Sequence, residues 1–230
     1  GLATSWGITA DPKVWQFKLR PGVKFHDGSP LTAEDVIFSL KRAMMPTSDF
    51  KGLLTSVEDV VKADDITIHV KTKGANPIFV EGLTNLFIMS KAWSVKNKSE
   101  APQNFASKEE TFAVRNAMGT GPYMLVSREA DVKTVLKRNP DYWGKGEFPL
   151  AVDDLEFHVI KSAPTRVAAL KSGQIDFVMG MPVQDIAAIA ATPGLRVNTG
   201  PENRSIFLGL NVGDAELKFS SVKGKNPFAD

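Results

Sequence analysis

The feature that most constrains the fold is the order of signals within residues 15–46, where a strand, two turns and a capped helix follow one another. In VWQFKLR, Trp15, Phe17 and Leu19 alternate with polar residues, which is typical of a half-buried strand. The Pro-Gly and Asp-Gly pairs that follow are turn signals. The first part of this stretch is therefore predicted to form a strand and a loop.

A helix is predicted directly after the two turns. Thr32 stands where an N-cap belongs, and Asp35 follows at the spacing of a capping box. Pro46 closes the helix. One helical face is apolar and carries Ala33, Val36, Ile37, Leu40 and Met44.

Two hairpins and a short helix are predicted in the next part of the chain. SVEDVVKADDITIHVKT indicates a hairpin that turns at Asp64–Asp65, and GTGPYMLVSREADVKTVLKRNPDYWG indicates another that turns near Glu129–Asp131. Asn76 is the expected cap of a short helix. Residues 94–118 are polar, and part of this segment is expected to be helical. The first 115 residues are therefore predicted to be a mixed α+β region.

From about residue 150 onwards, strands and helices are predicted to alternate, which is typical of an α/β layer. Helices are expected to begin near Ser162 and at Pro182. Strands are expected at LEFHVI, QIDFVM, LRVN and SIFLGLN, that is, at residues 155–160, 174–179, 195–198 and 205–211.

Composition argues against several function classes. The chain has 28 basic and 26 acidic residues, a net charge of +2 and no basic stripe, so nucleic acid is not the expected partner. Three well-separated histidines and the absence of cysteine leave no metal-ligand spacing. No apolar run approaches the length of a membrane span, and no signal-peptide pattern opens the chain. We expect the chain to be a fragment of a larger protein.

Four segments, in order, resemble the family 5 extracellular solute-binding proteins, which are the oligopeptide- and dipeptide-binding components of ABC importers. They are WQFKLRPGVKFHDGSPLTAEDVIFSL, the GTGPY segment quoted above, ALKSGQIDFV, and IFLGLNV with GKNPFAD. The resemblance covers nearly the whole chain. It implies a fragment of the first half of a type II periplasmic-binding-protein fold, in which two lobes enclose a cleft.

The resemblance also implies a domain organisation, a location and partners. Residues 1–117 resemble the extra α+β subdomain of the first lobe, and residues 118–230 resemble part of its core α/β subdomain, truncated at both ends relative to the family. The protein is expected in the periplasm or at the cell surface. Its expected partners are a small solute, foremost a peptide, and a membrane permease. No catalytic residue, cofactor or metal is implied.

The first predicted ligand contact is the MGMP loop, which lies between a predicted strand and a predicted helix. Ligands of open α/β sheets bind beyond the carboxyl ends of strands, and the matching loop of relatives lines the cleft. This prediction names Met179, Gly180 and Met181. The alternative is that the methionines fill gaps in the core.

The second predicted contact is GPENRSIFLGLN, because residues of the matching strand in relatives reach the ligand. Phe207, Leu208 and Gly209 take those places, and Glu202 and Asn203 are expected near the rim. Ordinary strand packing is the alternative.

Other conspicuous residues are expected to be structural. His26 and the Asp27-Gly28 pair are read as a turn in which the histidine is solvated or bonded locally. Glu34 and Asp35 are read as a cap rather than an acid–base pair, because adjacent helix positions do not face each other. GTGPY lacks the spacing of a phosphate loop, and Trp143 is expected to be an anchor.

Peptide capture for an ABC importer is thus the leading hypothesis. Oligosaccharides, opines, nickel chelates and haem are cargoes of the same family that the sequence leaves open. An enzyme such as a hydrolase would need a nucleophile with a base or two converging carboxylates, and the chain has no GxSxG motif. A module that senses a solute and signals to a partner is the third hypothesis, since such folds are reused.

Overall fold

The computed structural model describes residues 1–107, 110–201 and 205–229. The chain forms two compact units, residues 1–160 and residues 161–230. This boundary lies at a different place from the expected subdomain boundary after residue 117, which refers to the architecture of the family and stays a prediction.

The first unit contains a four-stranded antiparallel sheet. Its strands are β1 (Ala3–Ile8), β2 (Val14–Leu19), β3 (Val57–Asp64) and β4 (Thr67–Thr72), in the order β1-β2-β4-β3. Strand β2 pairs with β4 so that Trp15 lies opposite Val70 and Phe17 lies opposite Ile68. All four of these side chains are buried. The predicted alternation in β2 and the hairpin of β3 and β4 are confirmed.

Helix α1 (Ala33–Ala43) packs on the apolar face of this sheet. The aromatic rings of Trp15, Phe17 and Phe79 lie beneath it with centroids 6.2 to 6.4 Å apart. The predicted helical face is confirmed, because its members are buried or packed against the core. This core includes Ala33, Val36, Leu40, Leu54, Val57, Val60, Ile68 and Val70.

The capping box of α1 is confirmed, and its carboxylate is buried. Asp35 is 6% exposed. Its Oδ2 accepts hydrogen bonds from Thr32 N at 2.9 Å and from Thr32 Oγ1 at 2.6 Å. Its Oδ1 accepts from Lys91 N at 2.8 Å. The same side chain therefore caps α1 and binds a segment 56 residues later.

Ser39 extends this contact by one helical turn. Its hydroxyl donates to Asp35 O at 2.7 Å and accepts from Met89 N at 2.8 Å. Helix α3 (Lys91–Lys96) begins at this point, with Ser90 Oγ accepting from Trp93 N at 3.2 Å. Buried hydrogen bonds thus fix where α3 starts relative to α1.

Two further short helices are α2 (Phe79–Leu83) and α4 (Phe112–Arg115), with 3-10 turns at 51–54 and 105–107. The expectation of helix within 94–118 is confirmed. The predicted start at Asn76 is wrong, because α2 begins at residue 79 with Ile78 as its N-cap. The amide of Asn76 instead donates to Ser56 Oγ at 3.0 Å, which anchors this side chain to another segment.

The rest of the first unit is a three-stranded antiparallel sheet of β5 (Tyr123–Glu129), β6 (Lys133–Arg138) and β7 (Asp154–His158). The predicted hairpin and the strand near 155–160 are confirmed. Asp131 has a φ of +61°, which is the left-handed conformation that Asp tolerates in tight turns.

A junction of three side chains joins the two sheets of this unit. His26 binds Gly119 and Gly121, which lie 93 and 95 residues later, so the expectation that it is solvated or bonded locally is wrong. The indole of Trp143 donates to Thr120 O at 3.1 Å, and the Arg20 guanidinium lies 4.7 Å from its ring centroid. The anchoring role predicted for Trp143 is confirmed.

The second unit contains α5 (Ala163–Lys171), a 3-10 turn at 183–185 and α6 (Ile186–Ala190). Both predicted helices are confirmed, and Gly173 ends the first of them with a φ of +72°. The strands predicted at 174–179, 195–198 and 205–211 are wrong. A strand needs a neighbour that takes its backbone hydrogen bonds, and no described segment of this unit pairs with them.

We expect Asp35→Ala to lower the free energy of unfolding by about 2–4 kcal/mol, because it removes the N-cap partner and leaves Lys91 N without its acceptor. All four tryptophans lie in the first unit, so urea unfolding followed by tryptophan fluorescence reports on that unit. Glu34→Ala is the matched control, since Glu34 makes a half-exposed ion pair with Lys91 and its loss should cost below about 1 kcal/mol. Equal losses in both variants would contradict the prediction.

We expect Trp143→Phe to cost about 1 kcal/mol in the same assay, because it removes the indole donor and keeps an aromatic ring near Arg20. Tyr142→Phe is the control, since it changes the adjacent ring and leaves the indole in place. A loss in Tyr142→Phe as large as that in Trp143→Phe would contradict the prediction, because the control keeps the indole and its hydrogen bond to Thr120 O.

Candidate functional site

The loop at 179–182 lies between α5 and α6 in the second unit. The chain turns at Gly180, whose φ of +67° favours glycine. Met179 is 77% exposed, and Met181 is half-buried. Met179 therefore does not fill a core gap in this structure, and the loop presents one mostly exposed methionine beside a constrained turn.

The segment 205–211 is neither helix nor strand. Phe207 is 81% exposed and Leu208 is 95% exposed, so neither is engaged in strand packing. A Cβ at Gly209 would meet Phe207 Cε2 at 3.7 Å, which is an ordinary contact that leaves room for a side chain. The predicted rim residues Glu202 and Asn203 lie outside the described residues.

The two predicted contact segments thus share a unit but not an interaction network. Within the described residues, no hydrogen bond connects 179–181 to 207–209. The two segments have a similar composition, since each presents apolar side chains next to a glycine. Exposed apolar residues in this part of the chain also include Phe177, Val183, Ile206 and Leu210.

Sequence reasoning missed a depression of about 620 Å³ in the second unit. Its lining includes Asp214, Phe219 and Phe228. Asn226, which is 5% exposed, organises the chain beside it by donating from Nδ2 to Asn211 O at 2.8 Å and to Asp214 O at 2.7 Å. The Asn-Pro pair at this position was an available turn signal.

Glu34 and Asp35 have separate partners and do not form an acid–base pair. Glu34 forms an ion pair with Lys91 Nζ at 3.2 Å on the surface, whereas Asp35 is the buried cap. The capping interpretation is therefore confirmed. At the Asp27-Gly28 turn, the Ser29 hydroxyl donates to Asp27 Oδ1 at 2.6 Å and lowers the pKa of that carboxyl. This arrangement is that of a turn, and Gly28 has the positive φ it requires.

The described residues lack two further features, a metal cluster and a membrane-spanning helix. No cluster of three or more His, Asp or Glu side chains there could hold a metal ion. Within the same residues, no helix combines the length and apolar character needed to cross a membrane.

The sequence matches, over residues 1–230, the model of the family described as bacterial extracellular solute-binding proteins, family 5 Middle. It is 28% identical to the nickel-binding periplasmic protein of Escherichia coli, over 96% of this chain and 41% of that protein. It is 27% identical to a probable peptide ABC transporter periplasmic-binding protein of Sinorhizobium fredii, over 97% of this chain and 42% of that protein. The chain thus spans less than half the length of these relatives.

A solved structure also matches the fold of this chain. The PBP AgaA from A. tumefaciens R10, in complex with agropinic acid, matches 84% of this chain and 37% of its own with a TM-score of 0.70 and 28% identity. The mixed α+β architecture is that of the type II periplasmic-binding-protein fold. Because the family match extends over every residue of the sequence, the chain belongs to the bacterial extracellular solute-binding proteins of family 5.

Proposed function

We propose that this chain is part of an extracytoplasmic solute-binding protein that captures a small solute, foremost a peptide, and delivers it to the membrane permease of an ABC importer. The observation that carries the proposal is the family match over residues 1–230. The similarity to a probable peptide ABC transporter periplasmic-binding protein supports the choice of peptide. Capture and delivery need no covalent step, so the proposal assigns no catalytic residue.

In this proposal, the second unit contributes an apolar wall to the ligand cleft. Met179 and Met181 supply flexible thioether side chains that adapt to cargoes of different shape. Phe207 and Leu208 supply larger apolar surface, and their exposure supports a role in contact, since contiguous exposed apolar surface marks interaction sites.

The glycines and the polar residues of these segments have different roles in the proposal. Gly180 and Gly209 let the cargo approach the backbone, whose N–H and C=O groups can bind a peptide without regard to its side chains. Glu202 and Asn203, which lie outside the described residues, stay the proposed source of polar contacts. Selectivity then rests on the shape of the apolar wall and on a few placed polar groups.

Two comparisons favour a different cargo within the same function. The E. coli relative is named as nickel-binding, and the AgaA structure holds agropinic acid. Among the described residues, no cluster of His, Asp or Glu could hold a nickel ion. These residues could therefore bind nickel only as a chelate whose ligands come from another molecule. An opine would use the same apolar wall together with polar groups for its carboxylates.

The first experiment is native mass spectrometry on the full-length protein, purified without denaturation. We expect bound species whose masses correspond to di- to oligopeptides. Adducts with the mass of an opine or a nickel chelate would change the cargo and keep the function. The absence of adducts, together with no thermal shift from pools of peptides, opines and nickel chelates, would contradict solute capture.

The apolar wall is tested by Met179→Glu in the full-length protein. We expect the dissociation constant of the captured peptide to rise at least about ten-fold, because a carboxylate would be desolvated against apolar cargo. Isothermal titration calorimetry measures it. Ile78→Glu is the matched control, since Ile78 is 74% exposed in the first unit, against 77% for Met179. An unchanged dissociation constant in Met179→Glu would show that the loop at 179–182 does not contact the cargo.

A further inference from the structure

The imidazole of His26 is held by two backbone groups of opposite polarity. Gly119 N lies 3.4 Å from Nδ1, and Gly121 O lies 3.1 Å from Nε2. The backbone of the histidine adds a third bond, from His26 N to Gly119 O at 2.9 Å. The turn at residues 25–29 is thus attached to the segment at 119–121 by a single side chain and its own amide.

These partners determine the tautomer. A backbone N–H can only donate and a carbonyl can only accept, so Nδ1 must be unprotonated and Nε2 must carry the proton. A second proton on Nδ1 would replace an acceptor with a donor that faces the N–H of Gly119. The arrangement therefore suits the neutral imidazole and not the imidazolium.

We propose that His26 is a pH-sensitive latch between the turn at 25–29 and the segment at 119–121, closed while the ring is neutral and released when it is protonated. Histidine is the side chain that ordinarily changes charge between about pH 5 and pH 8. The latch concerns the attachment of the two sheets within the first unit. It stands independently of which cargo, if any, the protein carries.

The charged neighbours of the latch set its sensitivity. The residues of 119–121 have no ionisable side chain, and Asn139 Nδ2, which is neutral, donates to Gly121 O at 3.0 Å. A charged neighbour is the adjacent carboxylate of Asp27, which attracts the imidazolium and so stabilises the protonated ring. Asp27 is exposed, and solvent screens this attraction.

The remaining contacts of the junction do not depend on the protonation of His26. The indole of Trp143 donates to Thr120 O and lies beneath the guanidinium of Arg20. Because the pKa of Asp27 is lowered chiefly by the hydrogen bond from Ser29, that carboxylate stays ionised over the range in which a histidine titrates. Release at His26 would therefore loosen the attachment made by its ring and leave the hydrogen bond from Trp143 to Thr120 O in place.

The test uses ¹⁵N NMR of the full chain between about pH 7.5 and pH 5, the range in which histidine titrates. At the upper end, we expect the ring nitrogens of His26 to report a proton on Nε2 alone. As the ring titrates, we expect the exchange rate of the Gly119 amide, corrected for its intrinsic pH dependence, to rise at least about ten-fold, since each factor of ten equals about 1.4 kcal/mol of opening free energy.

Matched variants separate the latch from a merely structural contact. His26→Gln can accept and donate in a similar way but does not titrate, so its Gly119 amide should lose the pH response. Asp27→Asn removes the carboxylate that stabilises the imidazolium, so its response should move to lower pH than in the unsubstituted chain. His69→Gln, which changes a histidine bonded to Gln16, should leave the response unaltered.

Two results overturn the proposal, and both are obtained on the unmodified chain, so they hold even if a variant fails to fold. The first is a proton on Nδ1 of His26 at the upper end of the pH range. The second is a Gly119 amide whose corrected exchange rate stays constant while the His26 ring titrates.

Discussion

The buried carboxylate of Asp35 is the interaction on which the first unit depends. A charge that is 6% exposed is tolerated only when its oxygens are bonded, and three donors meet it here. Two come from Thr32 and begin α1, and the third comes from Lys91 and begins α3. One side chain thus determines where a helix starts and which distant segment packs beside it, and the apolar face of α1 follows from that placement.

The second sheet is attached by hydrogen bonds between loop segments, whereas α1 packs on an apolar core. The segment at 119–121 is bound through its backbone groups by the side chains of His26 and Trp143. Hydrogen bonds from neutral groups contribute about 1 kcal/mol each, so this junction is weaker than the core beneath α1. A contact of that strength can respond to a change of one proton, which a buried apolar interface cannot do.

Local signals in the sequence were sufficient wherever the structure is decided locally. The strand alternation around Phe17, the cap at Thr32 and the turn at Asp131 each follow from a few neighbouring residues, and each was predicted correctly. His26 was not, because its partners lie more than 90 residues away and glycines give no signal of their own. The strands predicted at 174–179 and 205–211 failed for a related reason, since a strand is a property of a pair of segments. For the candidate site, the sequence could indicate Met179 and Phe207 through family resemblance, but not their exposure.

The predicted strands of the second unit are unformed, and several of their apolar side chains are exposed, because no described segment pairs with them. Phe177, Met179, Phe207 and Leu208 occupy segments with strand-like sequences, and each is mostly exposed. A small solute can cover such side chains, but it cannot take every backbone N–H and C=O of a segment as long as 205–211. If these segments form strands in the proposed binding protein, their ladder partners must therefore be protein. Cargo would then cover side chains rather than the backbone ladder, and Met179 would lie at the carboxyl end of its strand, which is where ligands bind in α/β sheets.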